Sequence, residues 1–77
     1  MEVKLIIFGQ LTEIIGSGNL ILNNVVDTDD LVKHLQDRYP AIAKSKYIIA
    51  VNKQVIKENT VLNADSIVAL LPPFSGG

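Results

Sequence analysis

The apolar residues of the chain gather in short runs separated by polar and glycine-rich positions. Residues 3–8 form an almost wholly apolar run that ends at Gly9, which predicts a β-strand in a central position of a sheet. Residues 20–22 predict a second strand that forms a hairpin with the first. Between them, residues 10–15 predict one short helical turn that Gly16 stops.

The segment that begins at Asp27 predicts the long helix of the chain. Asp27 or Thr28 can cap the free N–H groups of the first turn, and the two aspartates that follow lie where the helix dipole favours negative charge. Leu31, Leu35 and Tyr39 recur at a spacing of four and form one apolar stripe. The proline after Tyr39 ends the helix, because the residue before proline avoids helical angles.

Three further strands are predicted in the second half of the chain. Residues 47–51 lead through a turn into a short strand at 55–56, and residues 66–71 form a last strand that is almost wholly apolar. Pro72 and Pro73 stop this strand, because proline donates no hydrogen bond to a sheet.

The predicted element order is β-β-α-β-β-β, which indicates an α+β fold with the helix on one face of the sheet. We expect the first and last strands to lie side by side in the middle. That arrangement is the ubiquitin-like β-grasp, with a mixed sheet of four to five strands and one main helix. We expect one domain over residues 1–77 with a flexible C-terminal tail at 72–77.

Composition adds an expectation about the surface. The chain has 77 residues, of which 48% are hydrophobic. A chain of this size buries only about 60% of the surface that its unfolded form exposes, so some apolar surface should remain. A contiguous remainder would mark a partner site, and a scattered one is ordinary on any protein.

Charge and targeting features exclude several classes of protein. The net charge is −1, with acidic and basic residues spread along the chain, which argues against a nucleic-acid or polybasic membrane surface. No apolar run approaches the ~20 residues of a membrane span, and the first residues do not resemble a signal peptide. We therefore expect a cytoplasmic protein that binds neither nucleic acid nor membrane.

The usual residues of catalysis and metal binding are scarce. The sequence has no cysteine and a single histidine, His34, which is predicted on a solvated helix face. Asp27, Asp29 and Asp30 could suggest a metal site, but helix capping explains all three, so no metal is expected. The glycines form no phosphate-binding motif. We expect no enzyme activity from the chain on its own.

The last six residues, Pro-Pro-Phe-Ser-Gly-Gly at 72–77, are the remaining candidate. The prolines stiffen the start of this tail, and the two glycines let an enzyme's backbone approach its tip closely. A terminus of this kind suits insertion into another protein's narrow site. The alternative is a frayed chain end, which is common.

Residues 65–77, an acidic turn and apolar strand followed by Pro-Pro-Phe-Ser-Gly-Gly, resemble the ending of the molybdopterin synthase small subunit family, the ubiquitin-like sulfur carriers. Residues 8–16 and the Ile-Ala-Val-Asn of 49–52 resemble internal segments of that family, so the likeness covers nearly the whole chain. The chain departs from the family at Thr12, where arginine is frequent, and at 63–65, where the turn is usually acidic-glycine-acidic.

This resemblance implies a sulfur relay at Gly77. An E1-like adenylating enzyme would use ATP to form a transient acyl-adenylate on the Gly77 carboxylate, and a sulfur donor system would convert it to a thiocarboxylate. The tail, with Phe74, Ser75 and Gly76, would enter the large catalytic subunit of molybdopterin synthase. There it would give sulfur to a pterin precursor to form the dithiolene of the molybdenum cofactor. A heterotetramer of two carriers and two large subunits is implied, with no stably bound cofactor.

The predicted partner interface surrounds the base of the tail. Phe74 follows two prolines and suits a partner pocket, whereas Leu71 fits a partner contact and core burial equally. The other predicted interface residues are Pro72, Pro73, Val55 and Ile56.

Two other functions stay open at this stage. One is a related sulfur carrier, for thiazole synthesis or tRNA thiolation, or a protein-tagging modifier of the same fold. The other is a non-covalent interaction module in which the Gly-Gly ending is incidental. Deletion of Gly77 separates them, because only a carrier loses its function with that residue.

Overall fold

The computed structural model describes residues 2–73. The strands are β1 (Glu2–Ile7), β2 (Asn19–Asn23), β3 (Ile48–Val51), β4 (Gln54–Val55) and β5 (Ile67–Leu71). The helices are α1 (Leu11–Ile15), α2 (Thr28–Arg38) and a 3₁₀ helix (Pro40–Lys44). The 3₁₀ helix was not predicted from the sequence.

The strands form one mixed sheet in the order β2-β1-β5-β3-β4. β1 and β5 run parallel, and the other neighbouring strands run antiparallel. Parallel neighbours need a crossover, and the segment that contains α2 lies within the connection between β1 and β5. The predicted β-grasp is therefore confirmed, with the first and last strands adjacent in the middle of the sheet.

The core lies between α2 and the face of the sheet that α2 covers, here the inner face. Leu31 and Leu35 of α2 are fully buried, and so are Leu5 of β1 and both Val68 and Leu70 of β5. Along β1 the buried and exposed residues alternate, as expected of a strand with one covered face. The helix thus places its apolar stripe on the two central strands.

The opposite side of the sheet, the outer face, is not covered in the same way. Ile6 and Phe8 lie there and expose 38% and 45% of their surfaces. The apolar run at 3–8 predicted a central strand, and β1 does have a neighbour on both sides. Ile6, and Phe8 directly after the strand, nevertheless face outwards, because the one long helix covers only the inner face.

The start of α2 is capped by Asp27, as predicted. The Asp27 carboxylate accepts a hydrogen bond from the Asp30 backbone N–H at 2.8 Å and another from the Asn59 side-chain amide at 3.2 Å. Asn59 Oδ1 in turn accepts from the Asp29 N–H at 2.9 Å. The cap therefore satisfies the helix terminus and ties it to the loop before β5.

Replacement of Asp27 tests this cap. Asp27→Ala should lower the free energy of unfolding by about 0.5–2 kcal/mol, because the Asp30 N–H and the Asn59 amide lose their acceptor. The measurement is urea denaturation followed by circular dichroism. Asp29→Ala is the control, since it removes a carboxylate from the same helix turn without removing the cap. Equal losses in the two variants would show that charge rather than capping stabilises this terminus.

No helix within residues 2–73 has both the length and the apolar character needed to cross a bilayer.

Candidate functional site

The tail leaves the sheet from a central strand. β5 ends at Leu71, and Pro72 and Pro73 are the last residues that the structure describes. The predicted tail residues Phe74, Ser75, Gly76 and Gly77 lie outside the described residues. We call Leu71, Pro72 and Pro73 the tail root.

Leu71 lies on the outer face. It pairs with Ile48 of β3 and follows the fully buried Leu70, so its side chain points away from α2. The Leu71 side chain is half-buried. Of the two interpretations of this residue, burial in the main core does not hold, and its role in a partner contact stays a prediction.

Gly9 fixes the position of the tail root. The Phe8 N–H donates to the Leu70 carbonyl oxygen at 3.0 Å, which places the end of β1 beside the end of β5. Gly9 then has a left-handed φ of +61°, and a Cβ on it would lie 2.9 Å from Pro72 Cγ. Only glycine fits this approach without a shift of the proline.

Thr12 closes the loop that contains Gly9. Its backbone N–H and its Oγ1 both donate to the Gly9 carbonyl oxygen, at 3.1 Å and 2.8 Å. Thr12 stands where the resembling family often has arginine, and here it holds the Gly9 loop. Sequence reasoning missed Gly9 as a site residue, although a glycine directly after a central strand was visible.

Substitutions at three glycines can separate the two constraints on Gly9, which are its left-handed φ and its contact with Pro72. Gly9 combines a left-handed φ with the Pro72 contact, Gly16 has a φ of +83° and open space, and Gly18 has open space without a left-handed φ. Gly9→Ala should lower the free energy of unfolding most, by about 1–3 kcal/mol. Gly16→Ala should cost about 1–2 kcal/mol, and Gly18→Ala less than about 0.5 kcal/mol.

Thermal unfolding of the three alanine variants gives this order. Equal losses for Gly9→Ala and Gly16→Ala would show that the Pro72 contact places no demand on position 9.

An open cleft lies beside the tail root. It has a volume of about 350 Å³, and Pro72 and Pro73 form one wall. Glu13 of α1 and Lys46, which follows the 3₁₀ helix, are exposed in its lining and carry opposite charges. Both charges therefore lie near the point where the chain leaves β5.

The outer face carries an apolar surface, in which Lys4 lies between Ile21 and Ile67. Strand pairing places five of the seven large exposed hydrophobic residues on it. Two hollows of about 440 and 470 Å³ follow one another along it, and both are lined by Ile6 and Ile67. The five residues are Ile6, Phe8, Ile21, Val55 and Ile67. Of the two expectations from composition, the patch is the one observed.

The two hairpin residues predicted at the interface have different environments. Val55 pairs with Ala50, exposes 56% of its surface and lies on the outer face. Ile56 is half-buried and packs against the core, so it is less available to a partner than predicted. Sequence reasoning missed Ile6, Phe8 and Ile67 as surface residues, because the nearly continuous apolar runs of their strands predicted burial.

His34 is the single histidine of the chain and lies on α2. His34 Nδ1 lies 2.8 Å from the Asp30 carbonyl oxygen and 3.5 Å from its carboxylate, on a partly exposed helix surface. Within residues 2–73, no three of the histidine, aspartate and glutamate residues are grouped as a metal site would require. Burial raises the pKa of the Tyr47 hydroxyl above its ordinary value.

Comparisons with known proteins agree with this geometry. A family model described as the ThiS family matches residues 5–77. A molybdopterin synthase sulfur carrier subunit from Dictyostelium discoideum is 26% identical over 83 residues, which cover 99% of this chain and 96% of that protein.

Two solved structures are similar over nearly their full lengths. The small archaeal modifier protein 1 from Methanosarcina acetivorans is 29% identical, with a TM-score of 0.82 and coverage of 99% of this chain and 96% of that one. The second is a complex of subunits 1 and 2 of the molybdopterin-converting factor from Helicobacter pylori. Its matching chain is 29% identical, with a TM-score of 0.74 and full coverage of both chains.

Proposed function

The chain belongs to the ThiS family, and from that premise we propose that it is a sulfur carrier whose reactive group is the Gly77 carboxylate. The observation that carries this proposal is the extent of the family match, which runs through the Gly-Gly ending to residue 77. A terminal carboxylate is a poor electrophile until it is activated, so the chemistry needs a second protein.

The proposed reaction has two loading steps and one transfer step. The Gly77 carboxylate attacks the α-phosphorus of ATP on an E1-like adenylating enzyme, and pyrophosphate leaves. A sulfur donor then attacks the acyl carbon, AMP leaves, and reduction of any remaining sulfur–sulfur bond by a thiol gives the thiocarboxylate. In the transfer step the thiocarboxylate sulfur attacks a carbon of the acceptor and displaces an oxygen substituent, which gives a thioester. Hydrolysis of its acyl–sulfur bond leaves the sulfur on the acceptor and restores the Gly77 carboxylate.

The pathway that we favour is synthesis of the molybdopterin dithiolene. The curated relative from Dictyostelium discoideum is named for this role, and the Helicobacter pylori structure pairs a similar chain with a second subunit. The Pro-Pro-Phe-Ser-Gly-Gly ending at 72–77 supports the same pathway. We propose that the large catalytic subunit of molybdopterin synthase receives the tail and supplies the acids and bases.

The described geometry supports insertion of the tail into a partner. Four residues follow Pro73, so a catalytic centre that reacts with Gly77 lies within about 14 Å of chain from Pro73, at ~3.3–3.6 Å per residue. A partner at that distance contacts the tail root and the apolar outer face beside it. We propose Leu71, Pro72, Pro73 and Val55 as contacts of that partner.

A test of the carrier proposal is intact-mass analysis of the chain after incubation with an E1-like adenylating enzyme, ATP and a sulfur donor. We expect the replacement of one oxygen by sulfur at Gly77. An unchanged mass, with an enzyme that adenylates a known carrier in the same buffer, would refute the proposal.

The contribution of the outer face to partner binding is tested by a pair of valines. Val55→Asp should weaken binding of the large subunit on the order of tenfold, about 1.4 kcal/mol, because it places a charge in an apolar contact. Val61→Asp is the control, since Val61 is also exposed but belongs to none of the five strands. Isothermal titration calorimetry gives both affinities, and an equal loss in the two variants would contradict an outer-face interface.

A second candidate function is protein tagging, favoured by the likeness to the modifier protein from Methanosarcina acetivorans. Tagging also begins with adenylation of the Gly77 carboxylate, but it ends in an isopeptide bond to a lysine of another protein. Digestion of proteins that carry this chain, followed by mass spectrometry, distinguishes the two outcomes. Remnants of the Gly-Gly ending on lysines would favour tagging over sulfur transfer.

A further inference from the structure

β2 is the outermost strand on its side of the sheet, and among the strands of residues 2–73 it pairs with β1 alone. The Ile7 N–H donates to the Gly18 carbonyl oxygen at 2.8 Å, which sets the alternation of hydrogen bonds along the hairpin. With this register, the N–H and C=O groups of Asn19, Ile21 and Asn23 point away from β1. They form an open edge on which another strand can add.

The open edge of β2 lacks the charges that commonly protect edge strands. Residues 16–26 contain no charged residue and no proline, although 19% of the chain is charged. Edge strands of natural proteins are usually protected by lysine, proline or a bulge. At the other edge of the sheet, β4 has Lys53 directly before it and Lys57 and Glu58 soon after. Only the β2 edge is neutral throughout.

We propose that the β2 edge binds the β2 edge of a second copy of this chain, as an antiparallel pair around a two-fold axis at Ile21. The outward-pointing groups have the required positions. Ile21 faces its own counterpart, and Asn19 faces Asn23 of the other copy in both halves of the pair. The Ile21 pair can exchange two backbone hydrogen bonds directly, and each Asn19–Asn23 pair can do so once the Asn19 groups leave Ser17.

The side chains at this pairing are self-complementary. Ile21 exposes 52% of its surface, so its contact with its counterpart removes apolar area from water on both copies. The amides of Asn19 and Asn23 can each donate and accept, so they match one another across the axis. A neutral edge fits a second copy of itself, whereas a charged peptide would gain no ion pair there.

Symmetry determines what the dimer presents. When identical strands of two copies pair antiparallel in one sheet, the two-fold axis that relates the copies is perpendicular to the sheet. The outer faces of both copies therefore lie on the same side. They lie side by side and meet at the Ile21 pair, with a tail root towards each end. This inference does not depend on the proposed sulfur transfer.

Ser17 limits the strength of this pairing. Its Oγ donates to the Asn19 carbonyl oxygen at 2.7 Å and accepts from the Asn19 N–H at 3.3 Å, so it occupies one end of the open edge. A pairing of two short strands also buries less than the ~1,000 Å² of a stable interface. The dimer is therefore a weak one that forms at high protein concentration.

The test compares two identical substitutions on either side of Lys4. The register pairs Lys4 with Ile21 on β2 and with Ile67 on β5, and Ile21 and Ile67 are 52% and 48% exposed. In each variant the introduced carboxylate faces Lys4, so Ile21→Glu and Ile67→Glu should both fold. Only Ile21→Glu brings two carboxylates together across the two-fold axis, where like charges repel.

Sedimentation equilibrium of the full chain, up to about 1 mM protein, should give a concentration-dependent dimer. Ile21→Glu should weaken it at least tenfold, Ile67→Glu should leave it unchanged, and Ser17→Ala should strengthen it by freeing the Asn19 groups. Amide chemical shifts of Ile21 and Asn23 should move with concentration. The proposal is overturned by a monomer at every concentration, by a dimer that survives Ile21→Glu, or by a dimer that Ile67→Glu disrupts equally.

Discussion

A chain from which Gly77 is deleted should form the thiocarboxylate at least about 100-fold more slowly than the intact chain, and it should unfold at the same temperature. The deletion leaves a carboxylate on Gly76, but it moves that group back by ~3.3–3.6 Å along the tail. A displacement of about 1 Å already costs on the order of 100-fold when reacting groups must be aligned. We expect stability to be unchanged, because the deletion removes no residue of the core that the structure describes.

The measurement is the rate of adenylation and sulfur loading, followed by intact mass, with thermal unfolding recorded on the same samples. Ser75→Ala is the control, since it changes the tail but keeps its length and both glycines. We expect this control to load within a few-fold of the intact chain. Loading of the shortened chain at the normal rate would refute Gly77 as the reactive residue and would favour a non-covalent interaction module.

The sequence predicted the elements whose cause is local. The Asp27 cap is a property of a few adjacent residues, and Asp27 was one of the two caps predicted. The adjacency of β1 and β5 followed from the two most apolar strands, which needed the most protected positions in the sheet. The local capping signal and the need to bury the most apolar strands indicate the same fold, so the fold could be predicted without a structure.

Boundaries were less well predicted where the backbone takes an uncommon conformation. β4 was predicted at 55–56 and lies at Gln54–Val55, because Asn52 and Lys53 form a tight turn with φ values of 50° and 72°. A lysine such as Lys53 does not indicate, from the sequence alone, that its φ will be left-handed. The 3₁₀ helix was missed for a related reason, since Pro40 was interpreted as the end of α2 and also begins the next helix.

The sequence proposes the tip of the candidate site, but it gave no indication of the contact at the tail root. The Gly-Gly ending is a sequence motif, whereas the contact of Gly9 with Pro72 joins residues 63 positions apart (72 − 9) and depends on tertiary packing. The apolar outer face was hidden as well. An apolar run does not reveal which face of its strand a single helix will cover, so Ile6 and Ile67 could not be assigned to the surface.

Leu70→Ala should be among the most destabilising single substitutions of the described residues, because Leu70 is fully buried at the centre of the sheet between Ile7 of β1 and Ile49 of β3. Removal of its three outer carbons leaves a cavity, and such a change costs about 2–5 kcal/mol in a protein core. A native chain of this length is stable by only ~4–12 kcal/mol. The substitution therefore removes a large part of the total.

Ile67→Ala is the matched control for Leu70→Ala, because it removes the same number of carbons from the same strand on the outer face, where Ile67 is 48% exposed. We expect it to cost less than about 1 kcal/mol, from the loss of a β-branched residue. Urea denaturation gives both free energies, and Leu70→Ala should also lower the unfolding temperature by ~10–30 °C. Equal losses in the two variants would mean that the outer face is as well packed as the inner one. Such a result would also remove the basis for the outer face as an open partner surface.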